Sequence, residues 1–173
     1  MTTIRRFEAN DLFNFTDVNL DHLTETYHNG FYLQYLAIWP DMCALGESIN
    51  KDIMGYIFGK SEGEGKMWHG HVTAVTVSPE YRRLGLARQL MQLLEGVSEN
   101  IANAYFVDLY VRSSNNVAIR MYQNFGYIVF RRVLGYYSGE EDGLDMRKSL
   151  ARDVEKKSMI PLGRDVTDED DYG

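Results

Sequence analysis

Six consecutive residues, Arg82-Arg83-Leu84-Gly85-Leu86-Ala87, stand between a strand-like run, Val72 to Val77, and an apolar helical stripe that begins at Leu86. Small residues at Gly85 and Ala87 let a ligand approach the backbone where the helix starts. The unpaired N–H groups and the positive dipole end there form an anion site. Arg82 and Arg83 add two fixed charges beside it, at the helix end where cations cost stability unless an anion joins them. Pyrophosphate is the natural guest. The segment is neither a dinucleotide-binding G-x-G-x-x-G nor a phosphate loop ending in Gly-Lys-Ser/Thr.

Other residue types with chemistry lie on either side. Tyr122 falls seven residues after Asn115 and four after Ala118, so the three share one helix face. A phenol of pKa ~10 can donate a hydrogen bond or a proton to a thiolate whose thiol has pKa ~8.5. From periodicity alone, the spacing to Phe125 favours a core aromatic. Glu25, in a polar link beside Tyr27, is a carboxylate that can serve as a base or lie solvated in a loop. His69 and His71 share a strand face, but His22 and His28 are distant in sequence and no third ligand is near. Hydrogen bonding, not metal binding, is therefore expected there. His71 with Thr73 can meet an acidic or amide side chain, or His71 can simply fill a hole in the sheet. Tyr136 and Tyr137 point to opposite faces unless a bulge intervenes. Glu140-Glu141-Asp142 reads as a solvated hairpin tip. The single cysteine, Cys43, has no histidine beside it and is not expected to be a nucleophile.

These residues need a frame. The chain has 173 residues, enough for one domain with a core that needs no staples. One cysteine excludes an internal disulfide framework and fits a reducing compartment. No signal peptide or membrane span is expected, since no apolar run approaches ~18 residues. A formal charge of −7 argues against a nucleic-acid binder, although five acids between Asp165 and Asp171 carry much of the excess. Ile4 to Phe7 reads as a strand, and Asn10-Asp11 as the cap of a helix carrying Leu12, Phe15 and Val18. Phe31 to Trp39 is a second helix stopped by Pro40, and Met42–Gly46, Ile53–Gly59 and Trp68–Val77 are strands. Ser61 to Lys66 reads as a turn. Leu86, Leu90, Leu93, Leu94 and Val97 form one stripe of a helix reaching Asn100. A strand over Ala104–Val111, a helix from Ser114 or Asn115 to Phe125 closed by Gly126, and a hairpin of Tyr127–Tyr137 with Leu144–Leu150 complete the order. Strands in a meander, then alternating with helices, predict a mixed α/β sheet. The apolar residues of the first two helices (Phe13, Phe15, Leu20, Phe31, Tyr32, Tyr35, Ile38, Trp39) exceed one packing stripe, so part of them is expected to meet a partner protein.

The hexamer at Arg82 resembles the Gln/Arg-x-x-Gly-x-Gly/Ala pattern of the Gcn5-related N-acetyltransferases (GNAT family), which bind the acetyl-CoA pyrophosphate with it. Asn115 to Tyr127 is similar to the family's second signature, an Asn…Ala…Tyr…Gly-aromatic helix. Further segments, Leu23 to Tyr27, Phe31 to Leu36, Trp68 to Thr73, Tyr136-Tyr137 and Asp145 to Ser158, resemble the family of catalytic subunits of N-terminal acetyltransferase B, up to about Pro161. The Glu47–Asp52 turn, the Ser61–Lys66 turn and the clipped tail depart from that pattern.

The resemblance implies a GNAT fold over residues 1–150, with a sheet of about seven strands and about four helices, and an extension over 151–173 ending in an acidic, flexible tail. It implies acetyl-CoA as co-substrate, no metal, and direct transfer to the α-amine of nascent chains beginning Met-Asp, Met-Glu, Met-Asn or Met-Gln. A large helical-repeat auxiliary subunit is the implied heterodimer partner and the link to the ribosome, in the cytoplasm, without membrane or direct nucleic-acid contact. Tyr122 is then the thiol-side acid, and Glu25 a catalytic carboxylate in the substrate groove. Val75, Val77, Arg82, Arg83, Leu84, Gly85, Leu86, Ala87 and Asn115 are implied to hold the donor, and Tyr27, His71, Thr73, Tyr110, Tyr136 and Tyr137 the substrate.

Overall fold

A computed structural model describes residues 2–15, 18, 25–82 and 85–172. Strands β1 (Thr3–Arg6), β2 (Cys43–Glu47), β3 (Ile53–Glu62), β4 (His69–Val77), β5 (Phe106–Arg112), β6 (Ile128–Tyr137) and β7 (Glu141–Ser149) form one sheet in the order β1-β2-β3-β4-β5-β7-β6. All neighbours are antiparallel except β4 and β5, joined by a crossover through α2 (Leu86–Asn100). The other α-helices are α1 (Asn29–Ile38) and α3 (Asn116–Asn124).

Two cores lie on the sheet. On one, Leu86, Leu90 and Leu94 of α2 pack with Ile57, Val72, Leu109 and Met146 of the strands. Gly59 permits this contact, because a Cβ there would lie 2.2 Å from Leu94 Cδ1. The other core is aromatic: Tyr32 and Tyr35 of α1 join Phe7, Phe15, Tyr56 and Phe58. Their rings meet edge to face, as at Phe7 and Phe58 with centroids 4.8 Å apart. Much of the apolar excess read as partner surface is therefore core. Phe13, Leu33 and Ile38 remain exposed, and Leu20 lies outside the described residues.

The described residues contain three α-helices, one fewer than the sequence suggests. The helix expected near Leu12 is a 3-10 turn over Ala9–Phe13. Asp11 accepts from the Glu8 N–H and from both Nη atoms of Arg5, so it anchors a tight turn and does not cap a longer helix. Strand β3 continues to Glu62, which moves the expected Ser61–Lys66 turn onto Gly63–Met67. Strand β7 starts at Glu141, leaving a shorter hairpin turn. The acidic end does not hang free of the sheet: Leu162 N–H donates to the Phe130 carbonyl, Val166 N–H to that of Arg132, and Leu134 N–H to that of Val166. The extension thus covers the exposed edge of β6, a strand edge that would otherwise be open to pairing. No described helix is long and apolar enough to cross a membrane.

Candidate active site

Strands β4 and β5 pair only from His69–Phe106 to Val72–Leu109. Beyond that point a register shift against Phe58 and Gly59 of β3 bulges β4 at Thr73, and the two parallel strands part. The gap is a cleft of about 800 Å³, walled by Thr73 to Val77 on one side and Tyr110 to Arg112 on the other. Val75 and Val77 stand on the wall as the resemblance implies, with half-buried side chains that also pack on the core. This edge of β4 has no strand partner over 73–77, so its outward backbone groups face the cleft.

The cleft runs to the start of α2. Gly85 occupies the N-cap with φ +77°, a left-handed conformation, and offers no side chain to the helix amides. Those amides are left for a ligand. Ala87 lines the cleft. The Leu86 side chain turns away, buried against Gly46 and Gly55, so its backbone is the part that can serve a ligand. Arg82 lines the cleft and its Nε donates to the Val77 carbonyl at 3.2 Å. Arg83 and Leu84 lie outside the described residues.

Helix α3 forms the opposite wall with Asn115, Ala118 and Tyr122. Asn115 caps it, its Oδ1 accepting from Ala118 N–H at 3.2 Å, which leaves its amide nitrogen and a second Oδ1 lone pair for the cleft. Tyr122 is 8% exposed, with Phe125 and Tyr127 packed edge-on against its ring. The ring belongs to the core and the residue also lines the cleft. Its hydroxyl has no hydrogen-bond partner among the described residues, and burial pushes the phenol well above its ordinary pKa. It stays protonated and can donate. Tyr127 is held in turn by Glu95, which accepts from its hydroxyl at 3.2 Å and from Lys148 at 2.7 Å.

The rim beyond Tyr122 is organised by a residue that sequence reasoning missed. Arg112, at the end of β5, donates through Nε to Glu25 at 2.9 Å and through Nη1 to Glu141 at 3.2 Å, and lies 4.4 Å over the Tyr137 ring. Glu141 also accepts from the Ser114 N–H at 3.1 Å and from the Ser114 hydroxyl. The acid read as a solvated tip is thus a tie between hairpin and helix. Its only sequence signal is position: a charge at the carboxyl end of a strand, where α/β sheets bind ligands. Glu25 lines the cleft with its carboxylate engaged by the Arg112 guanidinium.

The expected substrate residues divide. Tyr110 and Tyr137 line the cleft. Tyr136 does not; it stacks on Tyr110 at 4.6 Å and meets Tyr137 edge-on at 5.0 Å. The register shift between Val133 and Tyr137 brings both rings to this end of the sheet. Tyr27 is off the cleft wall, stacked on Phe31 at 4.2 Å, its phenol raised by burial to about 12. Thr73 lines the cleft, but its hydroxyl already donates to Tyr35 at 2.8 Å. His71 is held through Nδ1 by Asp108 at 2.7 Å, which leaves Nε2 without a partner among the described residues.

Strand pairing corrects the expectation that no third polar group lies near the two histidines. Glu62 sits opposite His69, and Glu62, His69 and His71 each offer an atom within 4.8 Å of the others. Lys60 pairs with Glu62 at 2.7 Å, and Asp108 bridges the rings, 3.4 Å from His69. Cys43 is buried, with its thiol pushed up to about 12.

The cleft thus runs from the start of α2, past Tyr122, to the rim at Arg112. Residues 10–127 match the model of the acetyltransferase (GNAT) family. The chain is 66% identical, over 99% of both chains, to the N-terminal acetyltransferase B complex catalytic subunit NAA20 of Arabidopsis thaliana. The structure of Chaetomium thermophilum Naa20 in complex with a bisubstrate analogue superposes with a TM-score of 0.88 at 42% identity, over 95% of each chain. A chain of the NatB acetyltransferase complex bound to CoA and MES gives 0.78 at 42% identity, over 86% of this chain and 99% of that one.

Proposed function

The chain belongs to the GNAT acetyltransferase family, on its NatB catalytic-subunit branch, and from that premise we propose that it acetylates nascent chains beginning Met-Asp, Met-Glu, Met-Asn or Met-Gln. It is an enzyme that draws its acetyl group from acetyl-CoA. One observation carries the reading: β4 and β5 part into a cleft that leads from the open amides at Gly85 to the Tyr122 hydroxyl, which has no partner among the described residues.

The pyrophosphate lies on the backbone of Gly85, Leu86 and Ala87 with Arg82 beside it, and Arg83 and Leu84 are assigned to the donor by the sequence pattern alone. The pantetheine arm runs along the free edge of β4 at Val75 and Val77, past Asn115. The substrate α-amine enters over the rim, and its nitrogen lone pair attacks the thioester carbon. An α-amine has a pKa of ~7.7–8.0, so roughly a tenth to a fifth is neutral at pH 7 and water suffices to take its proton. Glu25 then acts by holding Arg112 and shaping the rim. As the C–S bond breaks, the CoA sulfur takes the electron pair and Tyr122 donates to it. The burial that raises the phenol also strengthens the thiolate as a base, so the proton is shared between them. A buried thiol near 12 makes Cys43 no nucleophile, consistent with direct transfer. His71 Nε2 meets the second side chain of the substrate. The Thr73 hydroxyl, whose proton goes to Tyr35, can only accept from an amide there. Tyr27, Tyr110, Tyr136 and Tyr137 form the aromatic surround.

The catalytic unit spans residues 1–150, and 151–173 form an extension along its edge. A relative named as the catalytic subunit of a complex supports an auxiliary partner, which we take to be a large helical-repeat subunit that brings the pair to the ribosome in the cytoplasm. Exposed Phe13, Leu33 and Ile38 suit such a contact. The test is acetylation of a peptide panel, with and without co-expressed auxiliary subunit. Met-Asp and Met-Glu peptides should be turned over and Met-Ala peptides should not. Equal turnover across the panel, or transfer only to lysine in α-blocked peptides, overturns the specificity.

A further inference from the structure

A second hollow, of about 290 Å³, opens beside the anion site and shares Arg88, Val117, Met121 and Phe125 with the main cleft. Arg120 and Asn124 complete it. Val117, Arg120, Met121 and Asn124 follow the i, i+3, i+4, i+7 spacing, so one face of α3 forms its floor. Arg88 lies opposite, in the first turn of α2, with its guanidinium 4.7 Å over the Phe125 ring.

The charges here are out of keeping with their surroundings. The chain carries −7 overall, yet this hollow has two arginines and no acid in its lining. Arg88 stands at the positive end of the α2 dipole, where a cation is unfavourable. No carboxylate among the described residues forms an ion pair with Arg88 or Arg120. Val117 beside them is 84% exposed, an apolar surface at the mouth of a charged hollow. Two arginines, a carboxamide and a strip of apolar surface fit a phosphorylated nucleoside: phosphate for the guanidinium forks, a base for Asn124 and the apolar strip.

We propose that Arg88 and Arg120 hold the 3′-phosphate of the CoA nucleotide, so that this chain discriminates CoA from 3′-dephospho-CoA. The inference rests on the placement of the pyrophosphate at Gly85 under the proposed function. The 3′-phosphate hangs from the ribose immediately beyond that pyrophosphate, and the hollow begins where the Gly85–Ala87 site ends. The arginines thereby acquire the anion that the dipole and their missing ion pairs call for.

Calorimetric titration of the purified chain, with its auxiliary subunit if the chain needs it, tests this with CoA and 3′-dephospho-CoA as titrants. The unaltered protein should bind CoA more tightly. Arg88→Gln and Arg120→Gln should each weaken CoA roughly fivefold, the scale of one exposed ion pair, and leave 3′-dephospho-CoA unchanged. The double variant should bind both titrants alike, with thermal midpoints held to show intact folding. A preference for CoA that survives the double variant, or no preference in the parent, overturns the 3′-phosphate site and leaves the acetyltransferase reading standing. Failure of the parent to bind either titrant removes both.

Discussion

At the residue scale, the proposed chemistry rests on one phenol. Tyr122 is buried by Phe125 and Tyr127, and its hydroxyl has no partner among the described residues while burial pushes its pKa up. Tyr122→Phe keeps the ring and removes only the donor. Turnover should fall by a factor on the order of 10²–10⁴, the usual weight of a positioned acid, while the CoA dissociation constant moves by less than about twofold. Steady-state kinetics beside calorimetry reads both, and a variant with parental turnover ends the acid role. The resemblance singled this residue out, since its helical spacing from Asn115 and Ala118 also suits a core aromatic. Arg112 was not legible, because its partners Glu25 and Glu141 are 87 and 29 residues away and come together only when the sheet forms. Arg112→Gln leaves two carboxylates unpaired at the rim. Peptide KM should rise several-fold with CoA affinity unchanged, since each part-exposed pair is worth about 0.2–1 kcal/mol. A rise in CoA dissociation constant with unchanged peptide KM contradicts this placement.

At the scale of elements, the site depends on where a strand lets go and a helix begins. The helix was fully legible: α2 runs Leu86–Asn100, the limits its leucine stripe marks. The parting of β4 was not legible, since a bulge at Thr73 leaves no trace in alternation that short; the resemblance pointed to Val75 and Val77 as donor contacts. The first helix was misread because Asp11 answers to Arg5, a contact a local pattern does not contain. Gly85 gives this scale its test. A Cβ there meets nothing within 4 Å, so only backbone strain opposes Gly85→Ala. At φ +77° an L-residue costs roughly 1–2 kcal/mol. Relief of that strain moves the amides that face the pyrophosphate. CoA affinity should therefore fall about tenfold while the melting temperature drops only a few degrees. Unchanged affinity places the anion elsewhere.

At the scale of the whole molecule, the sheet carries polar groups across strands far apart in sequence, and their titration should show in folding. His69 on β4 faces Glu62 on β3 and Asp108 on β5, with the Met67 carbonyl 2.5 Å from its Nδ1. Lys60, His71 and Arg147 stand around the same carboxylates. Burial alone lowers the pKa of His69, but Glu62, Asp108 and the carbonyl outweigh it and raise the value. Its hydrogen bond from His69 lowers Glu62 to about 2, against burial and with help from Lys60. A raised histidine stabilises the fold fully below its unfolded pKa of ~6.5, and that contribution disappears as pH rises through the folded value. A depressed glutamate stabilises above ~4.3, and its contribution disappears as pH falls toward 2. Both are complete between about pH 4.3 and 6.5, so this pair contributes most in that window. Urea midpoints at pH 5.5 and pH 8 should differ in the parent, lower at pH 8, and the difference should shrink in His69→Gln. Retention of the full difference in that variant assigns the alkaline loss to another group. The net charge of −7 is insensitive to which strands meet, so composition alone could not locate this cluster; the register His69–Glu62 and His71–Asp108 does.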